Sequence, residues 1–184
     1  MTPFDSLVLD SERLQLRPLV AHDAQALYAI FSDPRVMRYW STPPWTQLAQ
    51  AETRIADETE GMRAGRSLRL GLVRTSDDAL LGTCSLFSFN EACRRAEIGY
   101  ALARSAWGAG LMHEALQVLL RYAFGDLQLH RLEADIDPRN AASARSLERL
   151  GFVKEGHLRE RWIVDGEVSD SALYGLLQSD WRAR

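Results

Sequence analysis

The chain has 184 residues, of which 46% are hydrophobic and 26% charged, and carries a formal net charge of −3. That length suits one medium domain, residues 1–184, with a sizeable core, better than two. No dense basic stripe marks a direct nucleic-acid binder, no apolar run is long enough to span a bilayer, and the acidic N-terminal stretch does not read as a signal peptide.

The two cysteines, Cys84 and Cys93, form no CxxC pair and read as free thiols of a cytoplasmic protein. The four histidines lie without metal-ligand spacing, so no metal site is expected.

From the N-terminus, Arg13 to Leu19 alternates apolar and polar residues and predicts a strand, with Pro18 near its end. Asp23 can cap a helix through Leu27, Ile30 and Phe31, which Ser32-Asp33-Pro34 breaks. Arg35 to Trp45 reads as irregular and aromatic. A second helix can start at Thr46 and stop at Gly65. Ser67 to Val73, Leu80 to Phe89 and Arg95 to Leu102 follow as three closely spaced strands of an antiparallel meander. After a loop, Leu111 to Phe124 shows helical periodicity. Arg131 to Asp137 predicts a strand that Pro138 ends. Ala141 to Leu150 predicts a helix closed by Gly151. Phe152 to Val164 and Ser169 to Leu177 predict two strands joined at Asp165-Gly166. This order describes an α/β (α+β) fold, a mixed sheet of about seven strands with helices on its faces.

Two segments carry chemistry. Trp107-Gly108-Ala109-Gly110-Leu111-Met112 sits between a strand and a helix. The first amides of a helix lack partners, its dipole places about half a positive charge there, and glycine lets backbone approach a ligand closely. Such a turn can hold a phosphate or pyrophosphate; it can also be a plain strand-to-helix connection. The second segment, Asp137 to Ser143, leads into the helix that ends in Leu-Glu-Arg-Leu-Gly-Phe. Asn140 can be a simple cap on the amide of residue 142 or 143, or, with Ser143, it can touch an extended ligand.

These phrases resemble the GNAT acetyltransferase superfamily, and within it the RimJ/RimL-type branch, which acetylates the N-terminal amine of ribosomal proteins. The resemblance rests on Glu12 to Leu19, Asp33-Pro34 with Val36, Ala96 to Tyr100, the Trp-Gly-Ala-Gly-Leu-Met loop, Asn140 to Phe152, and Asp165-Gly166 with Tyr174. Trp107 and Met112 depart from the superfamily's Gln/Arg-x-x-Gly-x-Gly/Ala loop, in which backbone amides hold the pyrophosphate.

The resemblance implies a mostly antiparallel sheet splayed between its fourth and fifth strands, with acetyl-CoA bound in the gap. Ile98, Gly99 and Tyr100 would contact the pantetheine through backbone groups, Asn140 and Ser143 would line it, and residues 107–112 would hold the pyrophosphate. Glu97 is the candidate base; its alternative is an exposed carboxylate paired with Arg94 or Arg95. Ser143 is the candidate donor to the leaving sulfur, because the residue one turn later, often tyrosine in the superfamily, is Leu147. Tyr39, Trp40 and Trp162 are candidates for the acceptor site, although Tyr39, Trp40 and Trp45 can equally be packing under a loop. Along Arg159 to Trp162 side chains should alternate, so only one set can face a pocket.

The implied activity is direct acetyl transfer to a primary amine, first a protein N-terminal amine. A small amine (amino acid, polyamine or antibiotic) is the second reading, and an acyl-CoA-binding sensor without catalysis the third. The last two strands could support a homodimer.

Overall fold

A computed structural model describes residues 4–182; the first three and last two residues of the chain lie outside it. Eight strands form one sheet: β1 (Leu9–Asp10), β2 (Leu14–Pro18), β3 (Leu68–Arg74), β4 (Leu80–Asn90), β5 (Arg95–Leu102), β6 (Arg131–Ile136), β7 (Val153–Val164) and β8 (Glu167–Leu177), in the order β1-β2-β3-β4-β5-β6-β8-β7. The pairing is antiparallel throughout except between β5 and β6. The extra strand is β1, two residues whose backbone pairs with β2 at Leu16 and Gln15.

Six helices accompany the sheet: α1 (Ala24–Phe31), α2 (Pro34–Met37), α3 (Leu48–Arg63), α4 (Leu111–Gly125), α5 (Ala141–Leu150) and α6 (Gln178–Arg182). The alternation in the strands separates two cores. Leu68, Leu70, Leu72, Cys84, Leu86, Ala96 and Ile98 pack with Leu116, Leu119 and Leu120 of α4 and Leu147 and Leu150 of α5. On the opposite side Leu27, Ile30 and Phe31 of α1 meet Ala51 and Ile55 of α3 and Ala101 of β5. A fully buried leucine contributes on the order of 2 kcal/mol, so each face holds its helices by many such contacts.

Several boundaries differ from the sequence reading. Helix α3 begins two residues later than Thr46, because Gln50 Oε1 accepts both the Thr46 and Gln47 amides and holds them outside the helix. The irregular segment contains one helical turn, α2, capped by Asp33 through the Arg35 amide. Asp23 precedes α1 but caps no amide of that helix. Its carboxylate instead takes two Arg17 hydrogen bonds and the Val20 amide, tying the end of β2 to the helix start. Gly151 closes α5 at φ 98°, as the cap requires. Asp165 and Gly166 both turn with positive φ, as a tight hairpin requires. Both cysteines are free, Cys84 buried and Cys93 exposed. Among the described residues no helix is long and apolar enough to cross a membrane.

Candidate active site

The site begins where the sheet opens. Strands β5 and β6 run parallel and pair only at Arg95↔Arg131, Ala96↔Leu132 and Glu97↔Glu133. Beyond that point β5 stays with β4, and β6 stays with β8 through Ala134, Asp135 and Ile136. A bulge between Phe87 and Asn90 of β4, with Ser88 at φ 53°, lies opposite the last paired residue of β5. A bulge adds a residue and increases twist, which accounts for the divergence beginning there. Past Glu97 alternate backbone N–H and C=O groups of β5 therefore face a gap instead of a neighbouring strand.

A cleft of about 500 Å³ fills this gap. Of the residues singled out in the sequence, Tyr39, Trp40, Glu97, Ile98, Gly99, Tyr100, Asn140, Ser143 and Trp162 all line it. A hollow of about 200 Å³ adjoins it between the irregular segment and the β7–β8 turn, and shares Tyr39, Trp40, Asp137 and Ser169 with the first.

Glu97 pairs with neither Arg94 nor Arg95. Arg95 Nη1 instead meets Glu133 Oε2 at 2.5 Å, and Glu97 makes no ion pair among the described residues. On the other wall the Asn140 side-chain oxygen accepts the Ser143 amide at 3.1 Å, so Asn140 caps α5 and lines the cleft at once. Ser143, 9% exposed, has its Oγ 2.7 Å from the Tyr100 hydroxyl. Sequence reasoning gave Tyr100 a backbone role only. Burial, opposed by the Ser143 hydrogen bond, pushes the Tyr100 phenol up to about 12, so it is protonated at neutral pH.

The glycine loop lies apart from the lining of the cleft, at the start of α4. Gly108 and Gly110 adopt φ 78° and 76°, and Gly110 is the N-cap of α4 without a side-chain cap. Arg13 anchors the loop: its Nη1 donates to the Ala109 carbonyl at 3.0 Å and its Nε to Glu114 Oε2 at 2.7 Å. Trp107, half exposed, donates its indole N–H to the Leu102 carbonyl. Leu111 is buried and Met112 packs on the core rim. Gly108, Ala109 and Gly110 thus offer backbone, while Trp107, Leu111 and Met112 hold it in place.

Both segments suit acetyl-CoA. The gap presents an unpaired strand edge to an extended amide-bearing chain, and two left-handed glycines lead into a helix N-terminus able to receive a pyrophosphate.

The wall formed by β7 and the irregular segment shows one correction. A second bulge lies between Leu158 and Trp162, with Glu160 at φ 52° and its amide held by Asp170. It breaks the expected alternation, so the adjacent Arg161 and Trp162 both line the cleft while Arg159 and Glu160 do not. Trp162 donates its indole N–H to Ser171 at 3.0 Å. Trp40 lines the cleft and also meets Phe31 edge-on at 5.3 Å; Trp45 only stacks on Phe31. Tyr39 lies near the guanidiniums of Arg38 and Arg139.

The sequence reading missed Arg54, Glu58 and Arg69, which line the cleft under α3. An arginine between leucines on the inner half of a strand, Leu68-Arg69-Leu70, and the i,i+4 pair Arg54/Glu58 were the available signals.

Comparison with known proteins agrees with this geometry. Residues 13–153 match the acetyltransferase (GNAT) domain family. The chain is 36% identical over 173 residues to an uncharacterized N-acetyltransferase, p20, of Bacillus licheniformis, covering 94% of this chain and 97% of that one. It is 26% identical over 178 residues to the spermidine N(1)-acetyltransferase of Vibrio cholerae, covering 95% and 98%. The crystal structure of the ribosomal-protein-S5-alanine acetyltransferase from Vibrio fischeri superposes with a TM-score of 0.83 at 25% identity, over 96% of this chain and 99% of that one. A splayed sheet, a glycine loop at a helix start and this match over most of the chain agree: the protein belongs to the GNAT acetyltransferases and is an N-acetyltransferase that uses acetyl-CoA.

Proposed function

We propose that the acceptor is the α-amine of a protein N-terminus. The observation that carries this reading is that the two hollows adjoin. Tyr39, Trp40, Asp137 and Ser169 lie in the walls of both, and together the two reach from the gap between β5 and β6 to the Asp165 turn. An extended chain end needs such a groove, whereas a small amine would fill only its inner part. The likeness to a ribosomal-protein-S5-alanine acetyltransferase supports the same acceptor.

Acetyl-CoA, when bound, supplies an acetyl group activated as a thioester. Backbone groups of Ile98, Gly99 and Tyr100 would hold its pantetheine beside Asn140. The loop of Trp107, Gly108, Ala109, Gly110, Leu111 and Met112 would hold its pyrophosphate on backbone amides. Glu97 places its side chain in the cleft with no ion-pair partner among the described residues, and would take the proton that an ammonium must lose before it can attack. Ser143 Oγ, hydrogen-bonded to the protonated Tyr100 phenol, holds a proton for a departing sulfur. The Asn140 cap fixes the backbone at Ser143, so this donor is placed before substrate arrives. Tyr39, Trp40 and Trp162 would flank the incoming chain. The reading includes a cytoplasmic setting, residues 1–184 as one domain, and a homodimer through the hairpin whose outer strand β7 is exposed along nearly all its length.

A small-amine acceptor is the competing reading, favoured by the likeness to a spermidine acetyltransferase. Thiol release from acetyl-CoA separates the two, measured with free and N-blocked peptides, spermidine, amino acids and an aminoglycoside. Peptides with a free α-amine should give the highest kcat/KM, with the acetyl mapped to that amine by mass spectrometry. Turnover confined to small amines would overturn the proposal.

A further inference from the structure

The inner end of the cleft carries charges that the transfer chemistry leaves unused. Arg69 projects from β3 beneath α3, and its side chain is 11% exposed. Its Nε lies 2.7 Å from Glu58 Oε1. Arg54, one turn earlier on α3, places its own Nε 2.9 Å from the same oxygen. Near the end of α3, Gly61 faces Ser67, where an added Cβ would stand 2.7 Å from the hydroxyl oxygen. Two guanidiniums therefore share one carboxylate, and no other carboxylate pairs with either among the described residues. Burial, only partly offset by Glu58 and reinforced by Arg54, holds the Arg69 pKa below its ordinary value.

Of the other lining charges Asp135 pairs with Arg161, Asp137 shares Arg139 with Glu167, and Glu97, the candidate base, has no ion-pair partner among the described residues. The cluster under α3 thus carries one more cation than carboxylate, and the surplus lies at Arg54, 44% exposed in the cleft wall, where a ligand carboxylate can meet it beside the buried Arg69.

The cluster also shares a sheet face with the base. Arg69 pairs with Ser85, and Ser85 with Gly99, two residues along β5 from Glu97. With strands about 4.8 Å apart and residues about 3.3 Å apart, the Cα atoms of Arg69 and Glu97 lie roughly 12 Å from each other. An acceptor amine at Glu97 could reach the guanidiniums with a group a few bonds further along the same molecule.

Resting on the assignment of this cleft to the acceptor, we infer that Arg54 and Arg69 form a carboxylate-binding subsite, so that the preferred acceptor is an amine carrying a carboxylate a few bonds away. A polyamine, bearing only cations, would meet like charge there. The carboxylate can belong to an acidic residue at the start of a polypeptide or to a free amino acid, and separate arms of the test distinguish the two.

The first arm compares peptides that begin with, or have second, Asp or Glu against their Asn and Gln counterparts. The second compares free glutamate and 4-aminobutyrate with their amides. Thiol release should give a kcat/KM at least about tenfold higher for the carboxylate member in the preferred arm, the size of a charged hydrogen bond. Arg54→Gln, at a side chain 44% exposed, should erase most of that preference, chiefly through KM. Glu58→Gln should do the opposite and lower KM for the carboxylate member, a gain that a merely structural strap cannot produce. Quenching of tryptophan fluorescence by glutarate, without acetyl-CoA, should follow the same order across the variants.

Equal kcat/KM within every pair, or an Arg54→Gln loss that is the same for acid and amide, would overturn the subsite alone. Turnover of amines that survives blocking mutations throughout this cleft would overturn the cleft assignment, and the inference with it.

Discussion

Removing the Tyr100 hydroxyl tests whether the Tyr100–Ser143 pair acts as one unit. Among the described residues Ser143 Oγ has a single hydrogen-bond partner, the Tyr100 hydroxyl at 2.7 Å. Tyr100→Phe keeps the ring and its packing and deletes that contact. A neutral hydrogen bond contributes about 1 kcal/mol net, and the loss grows to about 2 kcal/mol when the remaining group is largely desolvated. Turnover should therefore fall between about fivefold and about thirtyfold, while the acetyl-CoA Kd stays nearly constant. Ser143→Ala should cost more, because it removes the proton-bearing atom itself. The double variant should be no slower than Ser143→Ala alone, since the phenol acts only through Oγ. The assay is thiol release at saturating acetyl-CoA and amine, analysed as a double-mutant cycle on kcat. Because the phenol stays protonated up to about pH 12, the wild-type profile should show no loss of turnover from Tyr100 ionisation at lower pH. Unchanged turnover in Tyr100→Phe, or single effects that multiply in the double variant, would refute the relay.

Three further perturbations address the rest of the site and its support. Glu97→Gln should lower turnover about a hundredfold with the acetyl-CoA Kd unchanged by calorimetry; full turnover would remove Glu97 as the base. Gly110→Asp should weaken acetyl-CoA binding about a hundredfold, because at φ 76° any side chain is strained and a carboxylate about 5 Å from a phosphate costs about 3 kcal/mol at an effective dielectric constant of about 20; equal affinity would detach the loop from the pyrophosphate. At Asp23, burial on its own raises the carboxyl pKa, but the Arg17 and Val20 hydrogen bonds outweigh it and leave the folded pKa below the unfolded one. Its contribution is therefore complete above the unfolded value of about 3.9 and is lost as pH falls through the folded value. Asp23→Asn should lower stability by about 2 kcal/mol near neutral pH and flatten the acid-side decline in denaturant melts, and an unchanged decline would rule the pair out as its source.

The regular elements were legible because their signals are local. Alternation in Leu14 to Pro18, the cap at Gly151 and the Asp165-Gly166 turn each depend on a few neighbouring residues, and each lies where expected. The glycine turn was legible for the same reason, since two glycines directly before a helical pattern are a local signal, and both adopt positive φ there. Long-range features were not. Glu160 gives no sign in Arg-Glu-Arg-Trp that a bulge will turn Arg161 and Trp162 toward one cleft, because Asp170 on the facing strand holds its amide. Tyr100 and Ser143 lie 43 residues apart, and their contact exists only because the fold brings the first turn of α5 beside β5. The same holds for Arg69 and Glu58, which meet only where α3 lies against β3.

The chemistry also follows from where the sheet stops being a sheet. Up to Glu97 and Glu133 the ladder between β5 and β6 satisfies itself. One residue later the backbone groups along the gap lack a neighbouring strand, and an unpaired inner edge would be a liability in a purely structural sheet. The surrounding side chains make that edge usable. Ser85 gives its hydroxyl to the Gly99 carbonyl, Trp107 takes the Leu102 carbonyl, and Tyr100 spans the opening to Ser143. Arg13 fastens the far end, joining the first long strand to the glycine loop through Ala109 and Glu114. The gap is thus held open by groups at its two ends while its middle is left for a ligand. A substitution that lets β5 and β6 zip further should therefore stabilise the fold and abolish activity together. The fold gives up ladder hydrogen bonds at the place where the proposed acetyl-CoA site would use backbone donors.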